Sequence, residues 1–365
     1  MMDRDFLRAI PKVQLHCHLE GTLRAATFLA LASKNGVSTV YEPPFDMTKT
    51  PNATASDAKQ GQSDGLPAPD RHLHEVYRFA DFKEFLLTFA AVSRSLKEPE
   101  DYARLAAEYA EDAIEQHVMY AEVFISPSVW RFFHPELDLR EAVSAIRSAF
   151  DAKQIEVRLI CDLTRNFGVE SAMQTAQLAC TLTDLGVIGI GLGGDEARFP
   201  AELFVEPFAL ARANGLHTVA HAGEAAGAQS VRNAVEILKA ERIGHGVRAL
   251  EDPSVIDLLA HRRIPLEICP TSNFLTGAAS RDLPHPLLAL DAAGVIVTID
   301  ADDPALFCSS LVDEYAYVQS IAGDAALLRF AANAVEASFA GEAAKTGMRK
   351  RMRRASAELE ASRRT

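Results

Sequence analysis

The stretch VIGIGLGG, residues 187–194, decides the fold. It is apolar at odd and even positions alike, so a strand built from it has no face for water and must be covered on both sides. That is the habit of a parallel sheet. Its glycines superficially resemble the G-x-G-x-x-G turn of a dinucleotide-binding sheet, but the spacing is absent and the run comes too late in the chain. Working outward, similar runs recur at 13–19 (VQLHCHL), 117–125 (HVMYAEVFI), 155–163 (IEVRLICDL), 216–223 (LHTVAHAG), 242–246 (RIGHG), 264–270 (IPLEICP) and 295–303 (VIVTIDADD). From about Ile114 onward they alternate with helical patterns at 140–154, 169–186 and 230–241, the last with Ser230 as its expected N-cap. Eight strand–helix units over 365 residues predict an α/β protein, a (β/α)8 TIM barrel with extra helices inserted after the first strand. An open, doubly wound sheet is the competing arrangement.

The bulk numbers set bounds. A hydrophobic content of 48% supplies a sizeable core, and residues 1–365 read as a single barrel domain. No apolar stretch is long enough to span a bilayer, and the N-terminus lacks the apolar segment of a signal peptide. Five scattered cysteines without a CxxC pair suit a reducing cytoplasm. A formal charge of −13 argues against nucleic acid as a partner. The basic tail reads as a solvated helix at about 341–365 rather than a nucleic-acid arm, because Glu358 and Glu360 interrupt it and no aromatic residue is interleaved. Residues 42–70, rich in Pro, Gly, Ser, Thr and Asp, read as a long flexible loop ahead of a helical excursion at 71–113.

Polar residues collect where the strands end. The first run finishes with His16, His18 and Glu20, the fifth with His221 and Glu224, the sixth with His245, and the eighth with Asp300, Asp302 and Asp303. On a strand, residues two apart share a face, so His16 and His18 point the same way. In a barrel all these groups converge on the C-terminal mouth, where active sites gather. So many imidazoles and carboxylates in one place need a compensating charge, and a divalent cation supplies it. His72 and His74 enter a helical pattern, where the same spacing does not share a face, and read as non-ligating. His117, His134, His217, His261 and His285 read as structural or surface residues.

His16-x-His18, HAGE at 221–224, GHG at 244–246 and DDP at 302–304, in this order, resemble the adenosine deaminase family of the amidohydrolase superfamily. GLGGDE (191–196), RIGHG (242–246) and CPTSN (269–273) extend the likeness from Pro11 to about Leu306. The resemblance implies a zinc ion held by His16, His18, His221 and Asp302. It implies Glu224 as proton donor to purine N1, and His245 orienting the water and taking its proton. Asp303 would bond N7, the Gly194 N–H would bond N3, and Asp195 would help hold the surroundings. Superfamily members with two metals carry a modified lysine at the end of the fourth strand; IGLGGDE has none, so one zinc per chain is expected.

The implied activity is hydrolytic removal of the amine of a small-molecule 6-aminopurine, with adenosine and 2′-deoxyadenosine as the leading substrates. Adenine and aminodeoxyfutalosine are the alternatives, because Glu20 stands where adenosine deaminases commonly carry Asp to hold the ribose. AMP is disfavoured, since no basic cluster marks the mouth. A ligand-binding barrel without catalysis would be expected to have lost a ligand or the proton donor, and none is missing. The sequence leaves the oligomeric state open.

Overall fold

The computed structural model describes residues 4–39, 76, 77, 79 and 82–362. The 42–70 stretch, His72 and His74 lie outside them. Eight parallel strands run in chain order: β1 Lys12–Gln14, β2 Val118–Ile125, β3 Val157–Thr164, β4 Val187–Gly193, β5 His217–Ala222, β6 Arg242–His245, β7 Leu266–Ile268 and β8 Val297–Ile299. Sequential parallel pairing with helical crossovers is the (β/α)8 topology, so the two-sided burial of VIGIGLGG was read correctly. Among the described residues the α-helices Ala25–Asn35, Phe82–Ser95 and Pro99–Glu115 lie between β1 and β2, the last two in the helical excursion expected there. No helix among the described residues is long and apolar enough to cross a membrane.

The seam between β8 and β1 closes unconventionally. Asp300 Oδ1 accepts the Leu15 and His16 amides at 2.6 and 3.1 Å. Single backbone bonds then join His18 N to Asp302 O (2.9 Å) and Asp302 N to His16 O (3.0 Å). The continuous strand expected at 13–19 therefore has a ladder of only three residues. A side-chain carboxylate and isolated bridges replace the ladder where His16 and His18 turn inward. Asp300 thus serves the barrel wall.

Two helix boundaries also differ from expectation. The 230–241 helix spans Ala228–Glu236, with Gly227 rather than Ser230 at its N-cap; Ser230 sits inside the first turn with its hydroxyl unpartnered. The 169–186 pattern is helical only over Gly168–Cys180, and a short 3-10 turn leads to Gly186 at φ 87°. The basic tail is the helix Glu342–Ser362, with Met348 and Met352 buried and Arg349 paired to Glu336 and Glu342.

Inside the barrel, Phe124, Ile160 and Val219 form a small apolar layer. A buried ionic layer accompanies it. Arg242 lies 2.7 Å from Glu122 and 2.5 Å from Glu267, and all three side chains are shut off from solvent. Three buried charges are tolerable only because they are paired. Through Glu267 this layer supports the site at the strand ends.

Candidate active site

His16, His18, His221 and Asp302 meet at the C-terminal end of the barrel, with ligand atoms all within 4.8 Å of one another and every side chain buried. His18 Nε2 and His221 Nε2 are 3.1 Å apart. Asp302 Oδ1 lies 3.4 Å from His16 Nε2 and 3.5 Å from His18 Nε2. A tetrahedral metal with bonds of about 2.1 Å sets its ligands about 3.4 Å apart, so the cluster fits such an ion. His16 Nε2 has no hydrogen-bond partner although it is buried. Its Nδ1 is 2.7 Å from Glu267 Oε2, and a carboxylate there keeps the proton on Nδ1 and leaves the Nε2 lone pair free. Burial, aided by the neighbouring imidazoles, pulls His221 well below its usual range, and burial takes His18 down to about 3. Both rings are neutral donors for a cation. Burial works to raise the Asp302 carboxyl, but the surrounding imidazoles outweigh it and hold it well below the ordinary carboxylate range.

Local backbone geometry delivers these groups. His245 and Asp302 both sit in the left-handed region, at φ 61° and 60°. Such conformations cost non-glycine residues energy and occur where a site demands them. Two glycines beside the site are required by close approach. A Cβ on Gly244 would stand 2.6 Å from His16 Cε1, and a Cβ on Gly21 would overlap the Asp303 carboxylate.

Around the cluster lies a cavity lined by Glu224, His245, Asp303, Gly194 and Asp162 among others. Glu224 is pushed up to about 8 by burial, and then by the charges of Asp302 and Glu196. Its Oε2 is 3.6 Å from His245 Nε2. Asp303 is raised well above its ordinary value by burial and by the neighbouring Asp302, and its Oδ1 has no partner. His245 is lowered to about 4 by burial, and its Nδ1 is 3.0 Å from the Asn273 side-chain amide.

Glu20 behaves differently from the other residues singled out in the sequence. It is fully buried but does not line the cavity. Its Oε1 accepts the Ser126 amide at 2.8 Å and the Trp130 indole N–H at 2.7 Å. It fixes the start of the helix Pro127–Phe133, which presents Val129 to the cavity. Asp195 is likewise peripheral, bonding the Arg198 amide at 3.1 Å. Its neighbour Glu196 does the supporting work: its carboxylate accepts the amides of Gly223, Glu224, Ala225 and Ala226 at 2.6–3.1 Å.

Sequence reasoning missed Glu267, Glu196, Asn273 and Asp162, although CPTSN and GLGGDE contained two of them. It also missed the cavity wall formed by Phe82, Phe85, Leu86 and Phe89. Their spacing of three, four and seven puts them on one helix face, a signal present in the chain. The five histidines read as structural, His117, His134, His217, His261 and His285, do not line the cavity.

The pattern of the family described as Adenosine deaminase matches residues 11–355. An aminodeoxyfutalosine deaminase of Streptomyces coelicolor is 36% identical over 340 residues, covering 92% of this chain and 81% of the relative. An adenine deaminase of Rhizobium rhizogenes is 35% identical over 347 residues, covering 94% and 99%. Among solved structures, the adenine deaminase of Arthrobacter aurescens superposes with a TM-score of 0.81 at 27% identity, covering 94% of this chain and 98% of that one. An amidohydrolase of Burkhoderia ambifaria with bound Zn gives 0.79 at 26%, covering 98% and 94%. On matches of this extent along nearly the whole chain, the protein is a deaminating hydrolase of the adenosine deaminase family.

Proposed function

We propose that this chain removes the exocyclic amine of a 6-aminopurine by hydrolysis, using one zinc ion held by His16, His18, His221 and Asp302. The observation that carries the reading is geometric: the Glu224 and Asp303 carboxyls line one cavity with that cluster, and Asp303 Oδ1 has no partner there; burial raises both. A purine presents hydrogen-bond acceptors, N1 and N7, on either side of the amine-bearing C6. Two carboxyls kept protonated by burial are the donors those acceptors need. A zinc ion, when bound, supplies a water of lowered pKa for attack at C6. Glu224 gives its proton to N1, which leaves C6 electron-poor. His245, neutral at its depressed pKa, would receive a proton from the attacking water and pass it to the amine, so that the C6–N bond breaks and ammonia leaves. Asp303 donates to N7, and the Gly194 amide meets N3. Glu20 contributes by holding the wall at Ser126 and Trp130. The end of β4 and the residues after it, GLGGDE, offer no lysine for a second ion.

The relatives named above act, by their names, on adenine and aminodeoxyfutalosine. This moves the lead from the adenosine and 2′-deoxyadenosine favoured by sequence to those two. No Lys or Arg is among the described residues lining the cavity, which speaks against a nucleotide phosphate. The test is ammonia release from adenine, adenosine, 2′-deoxyadenosine and aminodeoxyfutalosine by the zinc-loaded protein. Turnover of at least one is expected, lost on chelation and regained with zinc. Silence on all four with zinc bound overturns the reading.

A further inference from the structure

The β3–β4 wall of the cavity carries a carboxylate that the proposed chemistry does not use. Asp162 lines the cavity, is 4% exposed, and its Oδ1 has no hydrogen-bond partner. Its neighbours leave room for it: a Cβ on Gly191 would stand 2.8 Å from Oδ1, and one on Gly193 would stand 2.6 Å from Oδ2. Arg165, whose charge also acts on Asp162, spends both terminal nitrogens elsewhere, on Phe199 O and His221 O at 2.7 and 2.6 Å. Two other oxygens of this wall already have donors. Thr164 Oγ1 accepts from Ser128 at 3.0 Å, and Asn166 Oδ1 accepts the Asp195 amide at 2.9 Å. Asp162 Oδ1 is therefore a buried oxygen without a donor, facing the cavity, on a carboxyl that burial pushes up to about 7 and that a donated hydrogen bond would hold in its charged form. A buried acceptor left without a donor costs about 1–3 kcal/mol, so the substrate is the natural source of one. It also stands apart from β1, β5, β6 and β8, whose ends carry the metal cluster, Glu224 and His245.

Resting on the 6-aminopurine reading, we propose that Asp162 is a specificity-determining residue of this site. Its carboxylate takes a hydrogen bond from an N–H or O–H on the edge of the substrate away from the leaving amine. Two chemical sources offer that donor: the ring N9–H of a free base, or a sugar hydroxyl of a nucleoside. A site built around such a bond rejects analogues lacking the donor far more strongly than an apolar pocket rejects a missing methylene.

The test measures kcat/KM on adenine, which carries N9–H, on adenosine, which carries hydroxyls, and on 9-methyladenine, which carries neither. Wild-type protein is expected to prefer adenine or adenosine over 9-methyladenine by about 100-fold or more. In Asp162→Ala that preference ratio should fall at least about tenfold, with Asp162→Asn intermediate, while zinc content and the unfolding temperature hold. Collapse of the adenine ratio identifies the ring N–H; collapse of the adenosine ratio identifies the hydroxyl. A merely structural role lowers all three rates together, keeps both ratios and overturns the proposal. Wild-type ratios near one overturn it without any variant, should Asp162→Ala fail to fold. Wild-type silence on every aminopurine fails the underlying reading instead and takes the proposal with it.

Discussion

His16 Nδ1 sits 2.7 Å from Glu267 Oε2, and neither side chain is exposed to solvent. Glu267 is shared, because its other oxygen is 2.5 Å from Arg242 Nε. The metal cluster is thereby tied to the ionic layer inside the barrel. Glu267→Gln should weaken zinc binding by about 10–100-fold, as loss of a carboxylate behind a ligating imidazole does. It should also lower stability by about 1–3 kcal/mol, because Arg242 loses one of its two buried carboxylate partners and keeps Glu122 and the Ala337 carbonyl. Zinc retained after dialysis against graded chelator, with denaturant unfolding alongside, checks both. Wild-type zinc retention would show that Glu267 does not orient His16.

Glu224→Gln tests the proton donor. The amide keeps the volume of the side chain but has no acidic proton to give. Turnover should fall by about 10²–10⁴-fold while zinc content stays at the wild-type level. A variant purified without metal would make Glu224 a ligand and refute its assigned role.

The raised carboxyl also fixes the direction of a pH effect. Glu224 is pushed up to about 8, first by burial. It is thus protonated at neutral pH and loses its proton as pH rises through that value. Turnover that needs the protonated form should be level near neutrality and fall about tenfold per unit above the pKa. The kcat profile between pH 6 and 10 shows this limb, and in Glu224→Gln the residual activity should lack it. A profile that rises through this window would mean the carboxylate is the working form.

Glu196 holds four consecutive amides of the segment that carries Glu224. Glu196→Ala leaves those donors without their acceptor, at a cost of about 1–3 kcal/mol. It also frees the turn after β5, so kcat should drop by about tenfold or more through misplacement of Glu224. Unfolding curves and kinetics on the best substrate measure the two effects. Asp195→Ala, one residue earlier, should leave both nearly unchanged.

The sequence alone determined the barrel and which residues converge in it. Continuous apolar runs such as VIGIGLGG report burial on both faces, and polar residues at the ends of such runs have one place to go. His16, His18, His221 and Asp302 were legible that way as members of a larger convergent set, the family resemblance singled out those four as ligands, and they do meet in one cluster. The tertiary structure decided what the remaining polar residues do. Asp300 and Asp302 lie two apart on one run, yet Asp300 closes the seam with β1 while Asp302 joins the cluster. Asp195 and Glu196 are adjacent, but only the direction of each side chain tells that Glu196 supports the active turn. Glu20 reads as a substrate contact because it stands where adenosine deaminases commonly carry the ribose-holding Asp; its carboxylate points at Ser126 and Trp130, more than a hundred residues away in the chain. Asp162 carried no motif at all. Periodicity reports which face of an element is buried. Whether a buried acceptor has found its donor depends on partners brought from distant strands, and only the folded barrel supplies that information.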